Sequence, residues 1–201
     1  MNPFDAGIPI STEARRVEVQ VYTAAFLVSG VTATRFARVA DILNQLSVSH
    51  LAVEQATVRQ HGTPVDWPET ARVLVPVSRI LLMVAPESRG AARPDMLIVK
   101  RPFAVRLGLP PFVVSGQLHV PAGVGSVDGL LNAVEVFLVV TDAQISSVEH
   151  PDLDREAAAI AVQRASAEVV VLGDDEHPDQ LLADILDAHT AAGWLRKPGD
   201  R

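Results

Sequence analysis

Phe26-Leu27-Val28-Ser29-Gly30 recurs 86 positions later as Phe112-Val113-Val114-Ser115-Gly116, with four of the five residues identical. Smaller matches recur at offsets of 86 to 88, and such steady spacing indicates an internal duplication. The signature positions are Phe26, Val28, Ser29, Gly30, Leu43, Asn44 and Ala56 in the first copy and Phe112, Val114, Ser115, Gly116, Leu131, Asn132 and Ala143 in the second. The sequence therefore predicts two copies of one unit of about 75–80 residues.

Hydrophobic periodicity predicts the same order of elements in both copies: strand, strand, helix, strand, strand. Residues 17–21 alternate apolar and polar side chains, as half-buried strands do. Residues 36–46 carry apolar side chains at helical spacing, with Thr34 as the expected N-cap. The last apolar segment, 72–85, is long enough to bend or to be two strands, and Pro76 indicates a bulge or a sheet edge there.

The fold class expected from these elements is mainly β (α+β), with two tandem small β-barrels or curled sheets followed by a C-terminal helix. We expect the following organisation: an N-terminal arm (1–14), repeat 1 (15–86), a linker and lead-in strand (87–100), repeat 2 (101–173), a C-terminal helix (177–193) and a tail (194–201). The C-terminal helix carries an apolar stripe, Leu181, Leu182, Ile185 and Leu186, which either docks onto the second repeat or binds a partner.

Composition narrows the function classes. The chain has no cysteine, which excludes disulfides and thiolate chemistry. No apolar run is long enough for a membrane helix and no leader pattern is present, so we expect a cytoplasmic protein without a membrane partner. Residues 1–100 carry 10 basic and 9 acidic side chains, and residues 101–201 carry 7 and 15. A nucleic-acid binder normally has a basic surplus, and neither half has one.

Candidate catalytic and metal-binding residues do not form recognisable motifs. Ser29 and Ser115 precede glycines in strand patterns, not in a nucleophile elbow, so we expect those glycines to mark bulges. The six histidines lack metal-ligand spacing, and the acidic segments 150–154 and 174–177 are expected to be solvated loops. We therefore predict no catalytic residue, metal or cofactor. Asn44 and Asn132 are expected to stop helices through left-handed geometry, and Trp67 to be a packed loop aromatic.

The repeated Phe-x-Val-Ser-Gly strand, the Leu-Asn pair and residues 137–143 (FLVVTDA) resemble an uncharacterised bacterial family of tandem-repeat β-domains. The strand order is also similar to that of Sm-like and SH3-like small barrels, which implies an RNA- or peptide-binding barrel that forms rings. Two departures limit this implication. The helix here lies between strands two and three instead of before strand one, and the Sm RNA motifs have no counterpart, so no functional residue is carried over.

The expected function is a non-catalytic binding, scaffold or regulatory module whose partner is another protein or a second copy of the chain. Two alternatives stay open. One is an Sm-like RNA-binding protein, which would gather Arg35, Arg38, Arg59 and Arg72 on one face. The other is an enzyme in the cleft between the repeats, which would need two convergent carboxylates or histidines there.

Overall fold

The computed structural model describes residues 14–36, 38–45, 49–63, 66–86, 100–121, 129 and 134–173. These residues form ten strands and one α-helix. In chain order the elements are β1 (Arg15–Tyr22), β2 (Phe26–Thr34), α1 (Val39–Asn44), β3 (His50–Gln60), β4 (Thr70–Pro76), β5 (Leu82–Val84), β6 (Lys100–Leu109), β7 (Phe112–Pro121), β8 (Phe137–Ser146), β9 (Arg155–Gln163) and β10 (Val169–Leu172). The mainly β class is therefore confirmed.

All ten strands belong to one antiparallel sheet, in the order β10-β6-β7-β8-β9-β5-β1-β2-β3-β4. Within the described residues, β4 pairs only with β3 and β10 only with β6, so the sheet is not closed into a barrel. Of the two forms expected for the repeats, barrels or curled sheets, the barrels are wrong for this reason. At the centre of the sheet, β5 pairs with β9, which joins the first five strands to the last five.

The hydrophobic core consists of two clusters that meet at the central strands. Leu82 and Val84 belong to one cluster, whereas Met83 between them belongs to the other. Since successive strand side chains point to opposite faces, β5 is buried on both faces. In β9 the residue Ala161 likewise lies in the Met83 cluster, while its neighbours lie in the Leu82 cluster. Helix α1 packs on β8 and β9, on the side of the Met83 cluster.

Two bulges bend the sheet, at Gln55 in β3 and at Asp142 in β8. Each of these residues has a φ of 48°, in the left-handed region that few side chains favour. The register with the neighbouring strand shifts at the same points, between Ser29 and Val31 and between Ser115 and Gln117. The residue skipped by each shift is Gly30 or Gly116, so the bulges lie opposite the glycines expected to mark them.

Gly30 and Gly116 leave space for the backbone of the bulged strands. A Cβ atom on Gly30 would lie 2.6 Å from the Glu54 carbonyl oxygen, and one on Gly116 would lie 2.6 Å from the Thr141 carbonyl oxygen. No side chain fits at such distances without a shift of the backbone. These glycines are therefore required by close packing between strands.

Two other local expectations are confirmed and a third needs correction. The apolar segment 72–85, expected to bend or to be two strands, forms β4 and β5, separated by a 3-10 turn at Val77–Arg79. Pro76 is the last residue of β4, at a sheet edge. Helix α1 has only six residues and its N-cap is Arg38, without a side-chain hydrogen bond. Thr34 instead ends β2, where its hydroxyl accepts a hydrogen bond from the Phe36 amide at 3.1 Å.

Pro110 and Pro111 form the turn between β6 and β7, as their lack of amide hydrogens indicates. Most of the N-terminal arm, of the linker and of the second predicted helix lies outside the described residues, as does the whole C-terminal helix.

Gly30→Ala and Gly116→Ala should each lower the free energy of unfolding by about 1–3 kcal/mol, because the added methyl group overpacks a backbone contact. Gly108→Ala is the matched control, since a Cβ atom there meets its nearest neighbour, Val169 Cβ, at an ordinary 3.4 Å. Urea unfolding followed by circular dichroism measures the difference. Equal, small effects for all three variants would contradict the packing at the bulges.

Candidate interaction surface

An apolar groove lies beside β4, at one end of the strand order. Its volume is about 650 Å³, and Phe26, Val28, Val58, Val73 and Val75 are among the residues that line it. Arg79 is the single charged side chain in the described lining. The groove therefore suits contact with apolar side chains.

Trp67 lies at the rim of this groove and is exposed over half of its surface. Its ring packs edge-to-face with Phe26, with ring centroids 5.7 Å apart, and its backbone amide donates to the Val58 carbonyl at 2.8 Å. The expectation of a packed aromatic is therefore wrong. A single Trp in a polar loop carried no sequence signal that separates a packed ring from an exposed one.

Both end strands of the sheet expose apolar side chains. Leu74 in β4 and Val169, Val170 and Val171 in β10 are among the large exposed hydrophobic residues. Edge strands present unpaired backbone groups, and apolar side chains beside them favour pairing with another strand. Sequence reasoning missed these residues because a run of three valines predicts a buried strand.

A second cavity, of about 550 Å³, lies between α1 and the central strands and corresponds to the cleft of the enzyme hypothesis. Its charged lining residues are Arg38, Arg155 and Glu156. Arg155 donates a hydrogen bond to the side chain of Gln20. Glu156 is the only carboxylate in the described lining, so the convergent pair that this hypothesis requires is not assembled there.

His61 and His150 lie against each other, with ring centroids 5.2 Å apart, and connect the end of β3 to the turn before β9. His61 also packs edge-to-face with Phe112, with ring centroids 5.3 Å apart. Within the described residues, neither ring nitrogen of His61 has a hydrogen-bond partner. Burial lowers the pKa of His61 below 6.5, and the neighbouring His150 lowers that pKa further, partly opposed by the backbone near Ala24 and Phe26.

The acidic segment 150–154, which follows β8, forms a hydrogen bond and an ion pair with the residues around it. The Asp154 carboxylate accepts a hydrogen bond from the Ser147 amide at 2.8 Å, and Asp152 lies 3.7 Å from the Arg59 guanidinium. Arg59 also lies 4.0 Å from Asp66. Arg59 is thus shared between two carboxylates. Arg35, another arginine of the RNA-binding alternative, lies over the ring of Phe36. Within the described residues, no group of three or more His, Asp or Glu side chains is placed to hold a metal ion.

Asn44 connects α1 to β8. Its side-chain amide donates to the Phe137 carbonyl and accepts from the Phe137 amide, both at 2.9 Å. The non-glycine residues with positive φ in the described chain are Gln55 and Asp142, so Asn44 ends the helix without the expected left-handed geometry. It joins the first five strands to the last five instead.

The other signature residues occupy matching places. Val28, Leu43, Ala56, Phe112, Val114 and Ala143 are buried, and Phe26 lines the groove. Gly30 lies against Ala56 and Gly116 against Ala143, so the structure brings these predicted residues together. Ser29 and Ser115 lie beside the bulges on β2 and β7. Leu131, Asn132 and the stripe Leu181, Leu182, Ile185 and Leu186 lie outside the described residues.

No family model matches the chain, and no curated protein aligns with it significantly. In the described part of the chain, no helix has the length and apolar character to cross a membrane.

Acidification should destabilise the wild-type protein more than it destabilises the His61→Phe variant. The folded state favours neutral His61, so its contribution to stability is present above pH 6.5 and is lost as the pH falls through and below that value. We expect the two melting temperatures to diverge between pH 7.5 and about 5. Thermal unfolding at each pH measures this, and parallel curves would contradict a lowered His61 pKa.

Asn44→Ala should lower the free energy of unfolding by about 1–3 kcal/mol, because it leaves the amide and carbonyl of Phe137 without these partners. Asn44→Asp is the matched control: its ionised carboxylate keeps the acceptor for the Phe137 amide but cannot donate to the Phe137 carbonyl, whereas its protonated carboxyl group can do both. Its expected loss is smaller at a pH where the carboxyl group is protonated. Urea unfolding of both variants measures these losses. An Asn44→Ala variant as stable as the wild type would refute a stabilising role for the Asn44–Phe137 hydrogen bonds.

Proposed function

We propose that this chain is a non-catalytic scaffold module, built from a duplicated β unit, that associates with further copies of itself through the ends of its sheet. The observation that carries this proposal is the exposure of apolar side chains on both end strands. Leu74 lies on β4, and Val169 to Val171 lie on β10, where each strand also has one unpaired backbone edge among the described residues.

The duplication is supported by the strand pairing. Strands β5-β1-β2-β3-β4 follow the same order as β10-β6-β7-β8-β9. Val19 pairs with Gly30 as Val105 pairs with Gly116, and the bulged residues Gln55 and Asp142 share one φ value. Such agreement in register, bulge position and order is expected of two copies of one unit.

The chemistry of the exposed surface favours a scaffold. The groove beside β4 is lined largely by apolar side chains, and the exposed Leu74 of that end strand is one of them. Apolar surface beside an unpaired strand edge supports association because a new strand gains backbone hydrogen bonds and covers the apolar side chains together.

Leu74→Lys and Val170→Lys should each reduce the average mass in solution, because a charge at an end strand disfavours strand addition. Gln144→Lys adds the same charge at an exposed position of β8, opposite Glu156, and should leave the mass unchanged. Light scattering behind size exclusion, at several concentrations, measures the mass. A wild type that is monomeric at every concentration would refute the proposed function.

A further inference from the structure

We infer that the association is head to tail: β10 of one molecule pairs antiparallel with β4 of the next, in the register that β5 and β9 use inside the chain. This inference rests on the proposed self-association and specifies the contact. In this register Val169 lies opposite Val75, Val170 opposite Leu74 and Val171 opposite Val73. The partner is therefore a second copy of this chain.

The internal junction supplies the template. Leu82 pairs with Val162, Met83 with Ala161 and Val84 with Ile160. All six side chains are at most 1% exposed. The Gln163 amide also donates to the Leu81 carbonyl at 2.8 Å, which extends the ladder by one step.

The end strands β4 and β10, each with one edge unpaired among the described residues, are the counterparts of this junction. At an offset of 87, β10 corresponds to β5 and β4 corresponds to β9. The counterparts of Leu82 and Val84 are Val169 and Val171, which are 59% and 55% exposed. The counterpart of Ala161 is Leu74, which is 58% exposed. The counterparts at the sheet ends are thus apolar too: Leu74 and Val169 to Val171 are exposed there, whereas Val75 is already buried in its own core.

Strand β10 has the same register with its neighbour β6 as β5 has with β1. On β1, Tyr22 pairs with Leu82, and on β6, Gly108 pairs with Val169. The preceding residues repeat the geometry: the Leu81 amide donates to the Tyr22 carbonyl at 2.8 Å, and the Glu168 amide donates to the Gly108 carbonyl at 2.9 Å.

Strand β4 repeats the position of β9 in the same way. Val75 pairs with Leu51 on β3, and Val162 pairs with Leu138 on β8. The two edges therefore present their backbone groups at the positions that the register requires.

One difference makes the contact weaker than its template. Pro76 occupies the position of Gln163 and has no amide hydrogen, so the bond equivalent to Gln163–Leu81 is missing. The expected association is therefore reversible and depends on concentration. Because β4 and β10 are different surfaces, the contact is heterologous and continues through successive copies unless a ring closes.

The decisive experiment mixes two blocked chains. Leu74→Lys blocks β4 and leaves β10 free, whereas Val170→Lys blocks β10 and leaves β4 free. Each variant alone should be monomeric, and their mixture should form a one-to-one dimer by light scattering. The far-ultraviolet circular dichroism of each should match that of the wild type. An oligomeric wild type whose folded variants do not dimerise on mixing would overturn the inference while the proposed function stands.

Disulfide trapping tests the register without lysine variants. The chain has no cysteine, so Val73→Cys and Val171→Cys in separate molecules can react only with each other or with themselves. Leu81 and Gln163 are a hydrogen-bonded pair, so alternation along the ladder makes positions 73 and 171 a non-hydrogen-bonded pair with closely spaced Cβ atoms. Mixed disulfides should form there.

Ala71→Cys is the matched control, since it is displaced by two residues along β4. It should form far less mixed disulfide with Val171→Cys, and preferential trapping at position 71 would overturn the register. The alternative to a second copy is that the C-terminal apolar stripe of the same chain covers one of the two strand edges. A monomeric wild type that begins to associate on Leu182→Lys would show that this stripe covers the edge, and would overturn both the inference and the proposed function.

Discussion

The pairing of β5 with β9 is the contact on which the whole arrangement depends. It is the place where the first five strands of the sheet meet the last five, and its six side chains are excluded from water. Because β5 has only three residues, its own ladder is short. The strand is stabilised by burial on both faces, at about 1.5–3 kcal/mol for each fully buried large apolar side chain. The two Asn44–Phe137 hydrogen bonds reinforce the same boundary.

Much of the local structure was predictable from the sequence. The alternation in residues 17–21 predicts a half-buried strand because β1 has one face in the core, and Pro76 predicts the edge where β4 ends. The repeated glycines predict the bulges, since only a residue without Cβ leaves room for the carbonyls of Glu54 and Thr141.

The long-range arrangement was not predictable in this way. The run through Leu82 to Val84 lacks alternation because both faces are covered, so it reads as a continuation of the strand before it. The exposure of Val169 to Val171 is set by their place at the end of the strand order, and residue type does not report that order. Trp67 belongs to the same category, because the open edge beside it decides whether its ring is covered.

The central position of β5 has a consequence for the time course of folding. Its partners on β9 lie roughly 80 residues further along the chain, so the middle of the sheet closes a longer loop than the β1–β2 or β6–β7 hairpins at its sides. The hairpins form from local contacts, whereas the junction requires both sets of strands to be in place. Contact order therefore favours completion of the sheet from the flanks toward the centre, and until that last step the facing edges of β5 and β9 are two further unpaired strand edges.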